Sequence, residues 1–170
     1  MTIVIFDTET TALIPKNLHL SRDTIKLFPY ILQLAWIVYN PITNESVEND
    51  FIIKCPIPIP KDSTSIHGIS DKMSENGFEF SDIFDMFLED VLKSNEIVGH
   101  NIGFDLNMLE IECFRNGLVL NFDKIFRKKT FDTMIQSINV LRIVGKFGKY
   151  KWPRLNECYL YFFEKEFENA

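Results

Sequence analysis

This sequence has few cysteines, no long apolar run and no excess of positive charge, and each of these features argues against a class of protein. The three cysteines, Cys55, Cys113 and Cys158, are odd in number and show no Cys-x-x-Cys spacing, which argues against a disulfide framework and a zinc site. The longest apolar runs, such as residues 31–39, are too short to span a bilayer. The first residues form a strand-like run instead of a signal peptide. We therefore expect an intracellular protein, cytoplasmic or associated with nucleic acid, that is not secreted and has no membrane partner.

The balance of charge is negative, because 18 Lys and Arg residues stand against 24 Asp and Glu residues, for a net charge of -6. This argues against a uniformly basic nucleic-acid binder, but it allows an enzyme that holds nucleic acid through metal ions in a carboxylate pocket. Nine of the 18 cations lie between positions 124 and 154, where the only acid is Asp132. Two interpretations of this basic segment stay open: a solvated face with a mobile loop, or a patch that contacts phosphate backbone.

The composition suits one compact domain, because 46% of the 170 residues are hydrophobic and 14% are aromatic. β-Branched and aromatic runs predict strands, and the two longest are joined by a short turn that favours an antiparallel hairpin. Apolar residues at helical spacing predict the helices. The predicted strands are 2–6, 30–39, 47–54, 97–99 and 129–131, and the predicted helices are 82–93, 103–116, 134–141 and 154–163, with a short one after Ser70.

This order of elements predicts an α/β fold with a central mixed sheet that carries an antiparallel hairpin and is flanked by helices. Ser81 is a suitable N-cap for the helix at 82–93, and Asp132 or Thr133 for the helix at 134–141. Gly117 suits the end of the helix at 103–116, and Pro153 suits the first turn of the last helix. The polar stretch at 10–29 is expected to be a long loop.

Two carboxylates, Asp7 and Glu9, follow the first predicted strand. Side chains two positions apart on a strand share a face, so we expect both acids on one side and Phe6 and Thr8 on the other. Their mutual repulsion would be relieved by a hard divalent cation, which prefers oxygen ligands. Acidic residues at strand ends are also common in ordinary turns, so the pair alone leaves a metal site and a plain turn open.

Residues 3–11, IVIFDTETT, resemble the first motif of the DEDD 3′–5′ exonucleases, of the kind found in polymerase proofreading subunits. Residues 98–105, VGHNIGFD, resemble the second motif, in which a His-Asn pair precedes Phe-Asp. Three further stretches resemble recurrent segments of the family: YILQLAW at 30–36, IHGIS at 66–70 and FDTM at 131–134. Because these segments follow the family order and cover essentially the whole chain, the sequence is identified as a member of the DEDD superfamily.

The resemblance implies an RNase H-like fold and phosphodiester hydrolysis with two metal ions, Mg²⁺ or Mn²⁺. By resemblance, Asp7 bridges the two ions, Glu9 binds the first and Asp105 serves the second. The substrate would be the 3′ end of single-stranded DNA or RNA, with a polymerase or another nucleic-acid-processing complex as partner and DNA proofreading as a role. The substrate-binding residues that the family implies are Thr8, Thr10, Ile66, His67, Asn101 and Phe104.

Several of these residues have ordinary structural alternatives, which stay open at this point. His67 could cap or pack against the following helix, and Phe104 could belong to the core. Asn101 could order its loop through backbone hydrogen bonds. His100 is expected to be structural, and Asp132 is expected to cap a helix instead of binding a metal.

The family's fourth carboxylate and general base are not found in the sequence. Members of the His branch carry a histidine, four residues and an aspartate on the final helix, whereas no histidine follows His100 here, which leaves the His and Tyr branches unresolved. Three hypotheses remain: a fragment of a longer exonuclease, a degenerate member that binds nucleic acid or acts as a scaffold without cutting, or replacement of the aspartate by Glu164 or Glu168. The first is preferred, so residues 1–170 are expected to form a single exonuclease domain that lacks His-x4-Asp. Loss of the base alone costs roughly 10²–10⁴-fold in rate, so we expect the chain to be nearly inactive.

Overall fold

The computed structural model describes residues 1–166, and its central feature is one five-stranded sheet with the order β3-β2-β1-β4-β5. β1 pairs antiparallel with β2, and β2 with β3, while β4 runs parallel to β1 and β5 parallel to β4. The predicted mixed sheet and its antiparallel hairpin are therefore confirmed. The strands are β1 Ile3–Thr10, β2 Ile31–Asn40, β3 Glu45–Ile52, β4 Glu96–Gly99 and β5 Lys129–Asp132.

Helices flank this sheet, and within residues 1–166 none is long and apolar enough to cross a membrane. The α-helices are α1 Lys61–His67, α2 Asp71–Glu75, α3 Phe80–Lys93, α4 Ile102–Arg115, α5 Val119–Phe126, α6 Thr133–Leu141 and α7 Leu155–Phe163. Short 3₁₀ helices occur at Ile25–Leu27 and Lys146–Gly148. α1 and α5 were not expected from the sequence. Both are short, and α1 starts directly after a proline-rich stretch that favours an extended connector.

The main core lies between one face of the sheet and the helices α3 and α4. Val4, Phe6 and Thr8 point into it from β1 and are buried. The rings of Phe6 and Trp36 contact Phe87 of α3, with centroid separations of 5.2 and 5.5 Å. The abundant aromatic residues are thus used in part to pack the sheet against α3, which holds β1 rigidly from one side.

Helix starts differ from the expected ones at two places. α3 begins at Phe80 with Glu79 as N-cap, instead of after Ser81, because Phe80 is drawn into the core and is only 5% exposed. α7 begins after Arg154, so Pro153 lies before the helix instead of in its first turn. The expected cap of α6 is confirmed, since the side chain of Asp132 accepts hydrogen bonds from the first backbone N–H groups of that helix.

Arg115, in the last turn of α4, holds the long loop between β1 and β2. Its guanidinium lies 3.8 Å from the ring centroid of Tyr30 and pairs with the buried carboxylate of Glu112. Glu112 also accepts a hydrogen bond from the backbone N–H of Ile31, at 3.1 Å. The Arg115 Nη2 donates to three carbonyl oxygens of the loop, those of Ile25, Phe28 and Pro29. The ion pair therefore fixes both the loop and the start of β2 to α4.

Replacing Glu112 by Ala is expected to lower the free energy of unfolding by about 3 kcal/mol, because it leaves a largely buried guanidinium without its partner. The side chains of Arg115 and Glu112 are only 16% and 5% exposed, so water cannot replace the lost charge well. Urea denaturation followed by circular dichroism measures the change. Glu110→Ala, an exposed position on the same helix, is the control and should change stability by less than about 0.5 kcal/mol. Equal stabilities for the two variants would contradict the structural role of the pair.

Candidate active site

Asp7 and Glu9 lie on the face of β1 that points away from the helix-covered core. Their neighbours Phe6 and Thr8 are buried, whereas Asp7 is exposed and Glu9 is half-buried. This alternation confirms the shared face that the sequence predicts for the two acids. β1 continues to Thr10 and pairs with β2 along this part. Both carboxylates are therefore carried by a paired strand, and an ordinary turn is excluded.

Asp105 reaches the same part of β1 from the first turn of α4. β4 pairs with β1 only along residues 3–5, which leaves the edge of β1 beyond them open to α4. The backbone N–H and the hydroxyl of Thr8 both donate to Asp105 Oδ1, at 3.1 and 2.6 Å. Asp105 is 3% exposed, and these two bonds offset part of the cost of burying its carboxyl group. Thr8 thus fixes Asp105 beside the strand that carries Asp7 and Glu9.

The pKa values of all three carboxyl groups are raised. Burial and the charge of Asp7 raise the pKa of Asp105 to about 7. Burial, and then the charge of Asp7, raise the pKa of Glu9. Asp7 is open to water on one side, yet the surrounding protein raises its pKa, against the opposing effects of the Thr8 backbone and of His100. None of the ion pairs between described residues involves these acids, so no lysine or arginine in residues 1–166 neutralises them by direct contact.

This donor set fits a hard divalent cation, which prefers carboxylate oxygens and would relieve their repulsion. Within residues 1–166, however, no group of three or more His, Cys, Asp or Glu side chains is already arranged to hold a metal ion. The hydrogen bonds of Asp105 give one reason, because its Oδ1 accepts both donors of Thr8. Asp105 can therefore offer only its second oxygen without losing a bond to Thr8.

Two of the expected substrate-binding residues, Thr8 and Thr10, make hydrogen bonds within the protein. Both donor groups of Thr8 are used by Asp105, and the hydroxyl of Thr10 donates to the carbonyl of Ala12, at 3.0 Å. Thr8 thus has a clear structural task, the positioning of Asp105, which the sequence did not indicate. Its contact to Asp105 spans 97 positions, and no local pattern could have revealed it.

Ile66 and His67 are brought to the end of β1 by α1. The Ser63 hydroxyl donates to the carbonyl of Thr11 at 2.6 Å, which fixes α1 next to the strand. Ile66 is 74% exposed there. The Nδ1 of His67 accepts from the backbone N–H of Ile69 at 3.0 Å, while its buried Nε2 has no hydrogen-bond partner among the described residues. Burial also lowers the pKa of His67, which favours the neutral ring.

Asn101 and Phe104 lie at the start of α4, next to Asp105. Asn101 adopts a left-handed conformation, with φ of 66°, and its backbone N–H donates to Asp132 Oδ1 at 3.1 Å. This is the loop-ordering role that the sequence left open for Asn101. Phe104 is half-buried and packs against the core, so one part of its ring remains accessible.

A groove of about 430 Å³ lies on the other face of the sheet and includes Asp7 and His100. His100 links two parts of the chain: its Nε2 donates to the carbonyl of Pro153, at 3.0 Å, and its Nδ1 lies 3.0 Å from the hydroxyl of Thr133. The remaining lining is largely apolar and includes Ile5, Ala35, Ile37, Val98 and Leu155. A pattern in the sequence could have indicated this groove, because apolar residues occupy both faces of much of β1 and β2 instead of alternating with polar ones.

Comparison with known proteins agrees with the fold. The RNase T family of exonucleases matches residues 4–161. The DNA polymerase III subunit epsilon of Pasteurella multocida (strain Pm70) is 26% identical over 124 residues, which are 72% of this chain and 46% of that protein. The chain thus spans about half the length of this relative.

Solved structures share the fold at low sequence identity. Exonuclease I from Methylocaldum szegediense superposes with a TM-score of 0.70 and 18% identity, over 99% of this chain and 37% of that one. Exonuclease X in complex with 5′-overhanging duplex DNA gives a TM-score of 0.57 and 15% identity, over 98% of this chain and 75% of that one. The predicted RNase H-like exonuclease fold is therefore confirmed.

Proposed function

We infer that this chain, which belongs to the RNase T family of exonucleases, forms the nuclease domain of a metal-dependent 3′–5′ exonuclease. The observation that carries the proposal is the meeting of three carboxylates at one end of β1. Asp7 raises the pKa of both Glu9 and Asp105, which means that its charge acts on each of the other two carboxyl groups. A concentration of oxygen ligands suits divalent-metal phosphodiester hydrolysis, although the three side chains would have to move closer together to share an ion.

We assign the metal ions, Mg²⁺ or Mn²⁺ and two per site, to Asp7, Glu9 and the second oxygen of Asp105. When bound, they supply an activated water nucleophile and stabilise charge on the leaving oxygen. Thr8 positions Asp105 for this role through its two hydrogen bonds. His100 does not suit the role of general base, because its Nε2–H donates to a backbone carbonyl that cannot take part in proton transfer.

The proposed substrate is the 3′ end of single-stranded DNA or RNA. α1 holds the exposed side chain of Ile66 beside the end of β1, and Phe104 leaves part of its ring accessible next to Asp105. Apolar surfaces of this kind stack on any base, which suits removal of nucleotides without regard to sequence. The exonuclease X complex, which holds duplex DNA with a 5′ overhang, supports DNA as a ligand. The similarity to a polymerase III epsilon subunit supports a polymerase partner and a role in proofreading.

A non-catalytic nucleic-acid-binding or scaffold module of the same fold is the second candidate. It is favoured by the state of the histidines near the site, because His67 accepts a backbone hydrogen bond at Nδ1 and His100 is engaged at both ring nitrogens.

For the nuclease, we propose that the fourth carboxylate and the general base are supplied by residues other than the described ones. Glu164 is exposed at the C-terminal cap of α7, and Glu168 lies outside the described residues.

The test is degradation of a 5′-fluorescein-labelled 20-nucleotide single strand, with Mn²⁺ or Mg²⁺ and with added imidazole as an external base. We expect slow shortening from the 3′ end, one nucleotide at a time, that EDTA abolishes. We also expect imidazole to raise the rate at least about tenfold, because it replaces the missing base. A terminal phosphorothioate linkage should slow the reaction. Binding of the strand without metal-dependent shortening, with or without imidazole, would reject the nuclease proposal in favour of the binding module.

A further inference from the structure

The segment between α6 and α7 forms a small hairpin that the proposed nuclease site does not use. The N–H of Gly145 donates to the carbonyl of Lys149 at 2.8 Å, and the N–H of Lys151 to that of Ile143 at 2.9 Å. Residues Val144 and Tyr150 form an antiparallel bridge between these bonds. We call residues 143–152 the basic hairpin; its tip is the 3₁₀ turn Lys146–Gly148.

The tip of the basic hairpin presents one aromatic ring almost entirely to water. Phe147 is 98% exposed and has φ of 61°, a left-handed conformation that is an outlier for a bulky residue. The two strands of the hairpin approach closely just before the turn, since an added Cβ at Gly145 would lie 2.9 Å from the Cβ of Lys151. The strained backbone at Phe147 opposes folding, and its exposed ring gains nothing from burial, so the combination points to a ligand.

The neighbours of Phe147 in the basic hairpin add exposed rings and positive charges. Tyr150 and Trp152 are 45% and 65% exposed. Lys146 and Lys149 are exposed and have no ion pair with a described residue, whereas Lys151 pairs with Glu157 of α7. The sequence contains no acid between Asp132 and Glu157. Exposed aromatic rings alternating with unpaired cations are the chemistry that binds single-stranded nucleic acid, because rings stack on bases while cations neutralise phosphates.

The root of the basic hairpin is attached to the candidate active site. Trp152 is followed by Pro153, whose carbonyl accepts from His100, and His100 lines the same groove as Asp7. Leu155, at the start of α7, lines this groove as well. The hairpin therefore rises from the rim of the site, on a base fixed by the junction between β4 and α4.

We propose that the basic hairpin is a single-strand subsite, in which Phe147 stacks on a base upstream of the 3′ end while Lys146 and Lys149 contact the flanking phosphates. The direction of the strand rests on the proposed exonuclease function. Binding at the hairpin does not, because it needs neither metal nor turnover. For these residues the proposal adopts the second of the two interpretations of the basic segment, a patch that contacts phosphate backbone.

The test is the fluorescence anisotropy of fluorescein-labelled dT15, titrated in EDTA so that nothing is cut. Phe147→Ala is expected to weaken binding about tenfold through loss of one stacked base, and Phe147→Trp to restore it. The matched control is Phe126→Ala, another exposed aromatic residue, 70% exposed at the end of α5, which should bind as the wild type does. Lys146→Ala with Lys149→Ala should reduce the slope of log Kd against log salt by about 1.4, for two phosphates on a single strand.

A second readout comes from the protein itself, which has two tryptophans. Trp36 is 1% exposed in the core and Trp152 is 65% exposed on the hairpin, so unlabelled dT15 should quench only the fluorescence of Trp152. Quenching in the wild type and its loss in Phe147→Ala would support the subsite. Unchanged dT15 affinity in a Phe147→Ala protein that is folded by circular dichroism would overturn it.

Hydrolysis of thymidine 5′-p-nitrophenyl phosphate separates this proposal from the nuclease proposal, because a mononucleotide ester reaches only the carboxylate site. If Phe147→Ala loses dT15 affinity while neither protein cleaves any substrate, the subsite stands and the nuclease proposal fails. If both proteins cleave the ester equally and only dT15 binding falls, both proposals stand. Binding of phosphatidylglycerol vesicles instead of dT15, with the same dependence on Phe147, would make the hairpin a membrane contact and overturn the subsite.

Discussion

Asp7→Asn is expected to lower the metal-dependent rate of phosphodiester hydrolysis by about 10³-fold or more, to the level seen in EDTA. Asp7 is the carboxylate whose charge acts on both of the others, since it raises the pKa of Glu9 and of Asp105. Removing it takes away a shared ligand, and a loss of about 4 kcal/mol in transition-state stabilisation corresponds to that factor. Initial rates on the labelled single strand, with Mn²⁺ and imidazole, measure the effect.

A binding measurement makes this prediction independent of turnover. Isothermal titration of Mn²⁺ into the metal-free protein should show binding for the wild type and none for Asp7→Asn. Asp85→Asn, at an exposed acid on α3, removes one charge that is not part of the carboxylate site and should change neither result. If Asp7→Asn retains the rate and the Mn²⁺ affinity of the wild type, the metal site assigned to β1 is wrong.

Asp105 makes the metal-free protein less stable as the pH rises. Its pKa in the folded state is raised from an ordinary 3.8 to about 7, through burial first and the charge of Asp7 second. Between these values the folded protein holds a proton that the unfolded chain has released, so the free energy of unfolding falls with increasing pH across this window. Each unit of difference between the folded and unfolded pKa values of Asp105 corresponds to about 1.4 kcal/mol. The free energy of unfolding therefore falls by at most about 4 kcal/mol once the pH is above 7.

Asp105→Asn should remove most of this pH dependence, because the amide oxygen still accepts the two bonds from Thr8 but carries no charge. We expect the variant and the wild type to have similar stability near pH 4, and the variant to be more stable by about 2–4 kcal/mol at pH 8. Urea denaturation in EDTA at both pH values measures this. Mg²⁺ at about 100 times its Kd should stabilise the wild type at pH 8 by about 2.7 kcal/mol and the variant by less. Parallel pH profiles for the two proteins would contradict the assigned pKa.

The sequence predicted the parts of this protein that depend on local chemistry. Alternation along β1 placed Asp7 and Glu9 on one face, and the Asp132 cap followed from the preference of helix starts for short polar side chains. Ser81 was a wrong N-cap because burial of Phe80 in the core decided where α3 begins. The task of Thr8 could not be predicted, since its hydrogen bonds to Asp105 join residues 97 positions apart. Likewise, the sequence showed the charges of the basic hairpin but not the exposed ring of Phe147, which depends on the turn geometry.

Arg115 holds the long loop before β2 through the backbone carbonyl oxygens of the loop, which affects how the sequence of the loop can change in evolution. Carbonyl oxygens are present whatever the side chain, so substitutions at Ile25, Phe28 and Pro29 that keep the path of the backbone leave these contacts intact. Arg115 lies at one end of α4 and Asp105 at the other. The exposed positions of the loop, unlike the buried Phe28, can therefore drift in sequence and acquire new surface properties, while the helix that carries a site carboxylate keeps its place.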